Sequence, residues 1–517
     1  MVSDITQLLR VLEVHPNLAA ANKLLKEVKT LSVKGLHGSS RALFAAALYN
    51  KQPQAFLFIL NDLETAGYFY HDVTQILGTK EVLFFPSAYK RAAKYGQIDA
   101  ANEILRTEVL SRLQSSNSLP LIVSYPDALA EKTVSRATLQ ENTLRLSVGE
   151  QVDSGFVSEV LDSYGFTGVD YVYEPGQYAT RGSILDVFSF SNELPYRIDF
   201  FGDEVETIRS FDVESQLSEE KFSEIRIVPE LGKSKHKNAS LFDALPPETI
   251  IGIEDIRWIE SRVESIYNDE PSIDLSNEEL VKADLLTKKE FLVSLEPFTH
   301  LRFDTKLLDT PDAALQFQTT PQPLFQKNFD LISDSLNYFL QNNYTLYILS
   351  DSEKQQQRLR TIFHDRGDNI PFTPINRTLH EGFSDEWLKV CCFTDHQIFN
   401  RFHKYNLKSD KARSGKIALT LKELNQLQPG DFVVHLDHGI GRFAGLVRLR
   451  IGETVQEVIK LTYLNNDSVF VSIHSLHKIS KYKGKEGESP QLNKLGSGAW
   501  ERTKERTKTK IKDIARD

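Results

Sequence analysis

Cysteine is nearly absent: the only two among 517 residues, Cys391 and Cys392, stand side by side in "WLKVCCFTDHQIF". A strand there sends them to opposite faces, so they can build neither a disulfide framework nor a zinc cage, and both read as small core residues. Long apolar runs are lacking too, since nothing approaches the roughly 20 residues that span a bilayer. The N-terminus sets Ile5, Leu8, Leu9 and Leu12 at helical spacing among acids, with no small-residue cleavage site. That is a surface helix rather than an export signal. The expectation is a cytoplasmic protein without membrane contact. Positive charge is also in deficit. A formal net charge of -10 argues against a dedicated nucleic-acid binder, whose basic surface displaces counterions, and favours protein partners. One exception is 500 to 517, with seven Lys/Arg against four Asp/Glu. It reads as a solvated helix face that has the look of being cut short.

A further lack concerns "VKGLHGSSRALF", residues 33 to 44. A phosphate-binding loop of the pattern G-x-x-x-x-G-K-[ST] needs glycines to let backbone N–H groups close on phosphates, a Lys to neutralise them, and a hydroxyl for Mg²⁺. Gly35 takes the first position and Gly38 the fourth. Ser40 then stands where the second glycine belongs, Arg41 where the Lys belongs and Ala42 where the hydroxyl belongs. Ser40 adds a Cβ where backbone must approach phosphate, and Ala42 removes the magnesium ligand. The acidic partner of such a site ends an apolar strand, and "TIIGIEDI" offers Glu254 and Asp255. The expectation is a degenerate nucleotide site in a chain that is not itself an enzyme.

A chain of this length folds as roughly three to five domains. Strand-like runs such as "AFLFIL" and "LPLIVSY" alternate with helical stretches, which predicts a parallel α/β layer. From 138 to 229 short alternating strands predict an inserted antiparallel, β-rich domain. Helix and strand alternation resumes at "LPPETIIGIEDIRWIESRVESIY", and a second α/β unit follows in 329 to 363. A polar, basic linker comes next, and then 422 to 484 reads as all β with Gly, Asn and Asp turns. At about sixty residues, a single barrel is the expected closure.

Particular segments then carry a resemblance. "EPGQYATRGSILDVF" with "YRIDFFGDEVETIRSFD" resembles the UvrB-homology module of bacterial nucleotide excision repair, in the version carried by transcription-repair coupling factors. "GDFVVHLDHGIGRFAGL", "LTYLNNDSVFVSIHSLHKISKY" and "KLGSGAWERTK" are similar to that family's RNA polymerase-interacting domain and the start of the helix leading to its motor. The likeness runs from about 31 to 517 and reaches the N-terminal half of the family only. It implies a multidomain α/β plus β architecture. A UvrB-like α/β domain with the degenerate loop occupies 1–137 and 230–320, around a UvrA-binding β-rich insertion at 138–229. A small α/β domain at 321–403, a linker at 404–421, a small all-β Tudor- or CarD-like barrel at 422–484 and a helix start at 485–517 complete it.

The resemblance implies an adaptor that recruits UvrA to RNA polymerase stalled at DNA damage. No cofactor is expected in this chain, because ATP, Mg and double-stranded DNA belong to the absent motor. Glu254 and Asp255 fall where UvrB carries an Asp-Glu pair, in exchanged order. The Tyr-rich hairpin of UvrB has no counterpart near "YFYHDVTQILGTKEVLFFP", whose aromatics read as packing. In "YRIDFF", alternation places Arg197, Asp199 and Phe201 on one face and Ile198 and Phe200 on the other. Phe201 is thus either exposed beside an Arg or, if both faces are covered, core. The resemblance makes Arg181, Arg197 and Phe201 the UvrA-binding residues, the guanidiniums forking onto partner carboxylates. It also implies binding of the polymerase β subunit through an exposed strand. "LVRLRI" is the candidate, with Arg448 and Arg450 facing solvent and Leu449 either contact or core. His435 and His438 have too few companions for a metal site. Two other readings stand beside this one: a UvrB-like nucleotide-dependent damage-binding enzyme, and a CarD-like transcription regulator.

Overall fold

The computed structural model describes residues 5–52, 54–88, 100–114, 119–169, 172, 175–192, 194–212, 217–229, 237–269, 284–303, 311–325, 327–401, 403–405, 427–451, 454–472, 478–482, 490–496, 500 and 502. The chain divides into two compact units, 1–403 and 404–517. Most of the linker 404–421 and of the basic run 500–517 lies outside the described residues.

The first unit is built on a seven-stranded sheet in the order Ala313–Gln316, Thr30–Lys34, Thr299–Arg302, Ile250–Ile253, Phe56–Ile59, Leu121–Ser124, Val82–Phe84. All its neighbouring strands run parallel. The central strands "FLFI" and "IIGI" are buried at every residue, which is how unalternating apolar strands behave when helices cover both faces. Gly252 is required there, since a Cβ would stand 2.2 Å from the Phe58 ring. The alanine-rich helix Ser40–Lys51 is buried along most of its length, its small side chains permitting a close approach. Helix Leu63–Leu77 starts at Asp62, whose carboxylate accepts from the Thr65 N–H at 2.8 Å. Its Tyr68, Phe69, Tyr70 and His71 are buried, so these aromatics pack as expected.

Between Leu121–Ser124 and Ile250–Ile253 the chain makes a second, six-stranded sheet in the order Ser218–Phe222, Glu204–Phe211, Tyr196–Phe201, Ile184–Val187, Gln177–Arg181, Thr167–Gly168. It is antiparallel except for its last pair. Leu185, Val187, Ile198, Phe200, Val205 and Ile208 form its core with Val157 and Leu161 of helix Ser154–Ser163.

A third, five-stranded sheet follows in the order Thr319–Pro321, Phe383–Asp385, Val390–Thr394, Thr345–Leu349, Thr373–Ile375. Cys391 and Cys392 lie on its middle strand, whose residues are all buried. Burial pushes both thiols far up, consistent with unreactive core residues.

The second unit carries five antiparallel strands in the order Ser468–Ser472, Thr454–Thr462, Gly439–Ile451, Phe432–His435, Ile479–Lys481. The expected barrel closure is not seen among the described residues, where the two outer strands do not pair. Closure needs strands long enough to tilt and stagger, and Phe432–His435 and Ile479–Lys481 span only 4 and 3 residues.

Candidate functional site

The degenerate loop joins strand Thr30–Lys34 to helix Ser40–Lys51, the connection that a phosphate loop uses. Its glycines are needed for other reasons than phosphate. Gly35 has φ +75° and a Cβ there would meet the Phe317 carbonyl oxygen at 2.0 Å, while at Gly38, φ +54°, it would meet the Gly382 oxygen at 3.0 Å. Three of the loop's N–H groups are spent within the chain: His37 donates to Thr319 Oγ1 at 2.8 Å, Ser39 to the Glu381 carbonyl at 3.1 Å and Ser40 to the His37 carbonyl at 3.2 Å. Ser40 and Ala42 are buried in the helix.

Arg41, in the lysine position, donates from Nη1 to Glu254 Oε1 at 2.8 Å, and Glu254 Oε2 accepts the Asn61 N–H at 3.0 Å. Burial raises the Glu254 carboxyl, with Arg41 opposing. Asp255 caps helix Ile256–Asp269, accepting the N–H groups of Arg257 at 3.0 Å and Trp258 at 3.1 Å. Arg41 and the two acids are therefore engaged with one another or with backbone.

The insertion brings Arg181, Arg197 and Phe201 onto one sheet. Phe201 is 78% exposed, while Ile198 and Phe200 are buried on the opposite face. The hairpin turn after it is tight, with Gly202 at φ +63° and Phe201 opposite Glu204. The arginines differ from expectation, because their carboxylate partner lies in this chain. Asp186 sits directly across from Arg197 on the adjacent strand. It accepts from Arg197 Nε at 2.7 Å and Nη2 at 2.9 Å, and Arg181 Nη2 pairs with the same carboxylate. Hydrogen bonding to Asp186 raises the Arg197 pKa further. The guanidinium also lies 4.3 Å over the Phe211 ring. Arg209 repeats the arrangement with Asp199 at 2.6 Å. Sequence reasoning missed Asp186, although one signal was legible: a lone acid inside the apolar strand run "SILDVF", which on burial must find a partner, and it is 1% exposed.

In the second unit, residues 439–442 of strand Gly439–Ile451 pair with Phe432–His435, whereas 446–451 pair only with Thr454–Thr462. That stretch presents one unpaired backbone edge among the described residues. Leu449 is half-buried opposite Gln456. The side chains of Arg448 and Arg450 lie outside the described residues. His435 is buried and accepts the Asp437 N–H on Nδ1 at 3.1 Å, and its ring stacks on His438 at 4.6 Å.

Comparison with known proteins adds to this geometry. Residues 144–231 match the UvrB interaction domain, and residues 427–483 match the CarD-like/TRCF RID domain. The transcription-repair-coupling factor of Bacillus subtilis (strain 168) is 23% identical over 577 residues, covering 96% of this chain and 49% of that protein. Those of Staphylococcus aureus strains RF122 and USA300 are 24% identical over 575 residues, with the same coverage. The chain thus spans about half the length of these relatives. With two matched domains in this order and relatives of one name aligned along 96% of its length, the chain resembles the transcription-repair-coupling factors.

Proposed function

We propose that this chain is the adaptor portion of a transcription-repair coupling factor. In this reading the insertion recruits UvrA and the terminal sheet engages the β subunit of RNA polymerase. ATP-driven translocation on double-stranded DNA belongs to the part of the relatives that the chain does not span. The observation that carries the proposal is Phe201, exposed at the tip of a hairpin whose neighbouring arginines are fixed by a buried carboxylate. An exposed aromatic ring on the same sheet as held guanidiniums is the residue chemistry of an interface hot spot. The ring supplies the apolar anchor, and Arg197 holds the surface that presents it.

The edge at 446–451, unpaired among the described residues, supports the polymerase half, since strand addition needs a free backbone ladder. This chain itself hydrolyses no ATP and takes no cofactor, a reading supported by the Arg41–Glu254 pair and by Asp255 acting as a helix cap. The test is a titration of UvrA and of polymerase β against the full chain. Saturable binding of both is expected, and failure to bind either partner would overturn the adaptor reading. Micromolar ATP binding would favour the UvrB-like enzyme instead. A CarD-like regulator would bind polymerase alone and leave residues 144–231 without a role.

A further inference from the structure

The degenerate loop is not empty. Residues 380–382, which lead into strand Phe383–Asp385 of the small α/β sheet, lie against it. Ser39 and Glu381 bond reciprocally: the Ser39 N–H donates to the Glu381 carbonyl at 3.1 Å, and the Glu381 N–H donates to Ser39 Oγ at 2.9 Å. Asp72, buried in helix Leu63–Leu77, ties both sides together. Its Oδ2 accepts the Ser39 hydroxyl at 2.5 Å and its Oδ1 accepts the His380 N–H at 2.7 Å. The Tyr68 ring stacks on His380 with centroids 3.3 Å apart.

The fit is close on both sides of the segment. At Gly38 a Cβ would stand 3.0 Å from the Gly382 oxygen and 3.1 Å from Glu381 Cβ. Behind the segment, a Cβ on Gly382 would meet Gln322 Oε1 at 2.0 Å and the Cys392 oxygen at 2.8 Å. The Glu381 side chain lies within the field of Arg41: burial raises its carboxyl, and the positive charge of Arg41 opposes that rise. A carbonyl oxygen that accepts the N–H of a strand-to-helix loop takes a donor that a phosphate oxygen would otherwise use.

We propose that the former phosphate loop is a peptide socket. Residues 380–382, with the Glu381 carbonyl on the Ser39 N–H, occupy the cradle and latch the small α/β sheet onto the parallel sheet, so the site is closed by an internal ligand as well as by altered residues. The retained Gly38 then serves the latch, which accounts for a loop that keeps phosphate-loop rhythm without the lysine or hydroxyl. The proposal stands apart from the adaptor reading, because it concerns only contacts within residues 1–403.

Hydrogen exchange on the full chain tests it, in two variants that attack the latch from opposite sides. Ser39→Ala removes the hydroxyl shared by Asp72 and Glu381, and Glu381→Arg sets a cation against Arg41. In each variant, amides in both 36–41 and 378–383 should exchange about tenfold faster or more, because one local opening exposes both. Strands Leu121–Ser124 and Thr345–Leu349 should keep their protection. Faster exchange confined to the substituted segment in both variants would overturn the latch. A second arm restores the loop residues with Ser40→Gly, Arg41→Lys and Ala42→Thr and adds millimolar Mg-ATP. No melting shift and no protection of 36–41 is expected while 380–382 stay in place. A nucleotide-induced shift would show that the cradle is open, and the proposal would be abandoned.

Discussion

Arg197 and Asp186 face each other across adjacent antiparallel strands, joined by two parallel bonds of 2.7 and 2.9 Å, with the carboxylate 1% exposed. A buried carboxylate serving two arginines is costly to remove, because the cations lose their partner while the strands stay folded around them. Asp186→Ala should lower the stability of the insertion by about 3 kcal/mol, read from urea denaturation. Asp186→Asn should fall between it and wild type. A change under about 0.5 kcal/mol would mean that solvent, not Asp186, holds the arginines.

Phe201 separates binding from folding. At 78% exposure its truncation removes little packing, so Phe201→Ala should alter stability by less than about 0.5 kcal/mol. If the ring fills a partner pocket, UvrA affinity should fall roughly thirtyfold, the equivalent of about 2 kcal/mol. Unchanged affinity in a calorimetric titration would move the contact elsewhere on the insertion.

The two candidate surfaces lie in different compact units, and sites that share no partner residues act nearly independently. Leu449→Arg on the one-sided strand edge should weaken binding of polymerase β by tenfold or more and leave UvrA binding within twofold. Loss of both activities in a folded variant would contradict the separation.

Gly252 offers a test of the sheet itself. A methyl there would stand 2.2 Å from the Phe58 ring on the neighbouring strand, and overpacking of this kind costs about 1 to 3 kcal/mol. Gly252→Ala should show it as a lower melting temperature; an unchanged one would mean that Phe58 moves freely.

Histidine burial sets a pH dependence. Burial, helped by the neighbouring His396, lowers the His71 pKa to about 4 from 6.5. A group depressed on folding favours the native state fully above pH 6.5, and that contribution is lost as pH falls toward 4; the limit is roughly 3 kcal/mol. Asp72 works in the opposite sense. Its carboxyl is raised by burial to about 7, so the native state gains relative stability as pH drops below 7. Comparing wild type with His71→Gln cancels the Asp72 contribution. The wild-type advantage at pH 7 should shrink or reverse by pH 4.5, whereas a constant difference in urea midpoints would show that His71 does not titrate in this range.

The sequence by itself determined the features that repeat at short range. Period-two alternation in "YRIDFF" put Phe201 on the face opposite Ile198 and Phe200, because neighbouring residues of a strand must point to opposite faces, and the fold then left that face open at Phe201. Strand-like runs such as "AFLFIL" alternating with helical stretches predicted the parallel α/β layer. The missing Lys and hydroxyl marked the loop at 35–42 as degenerate. Tertiary structure decided what each polar group meets. Asp186 and Arg197 are 11 residues apart in sequence, Arg41 and Glu254 are 213 apart, and Ser39 and Glu381 are 342 apart. No periodicity encodes such pairings. They arise because a buried charge or N–H must find some partner, and only the packed chain brings one within about 3 Å. The edge at 446–451, open among the described residues, was likewise set by strand lengths and register, which alternation alone leaves undetermined.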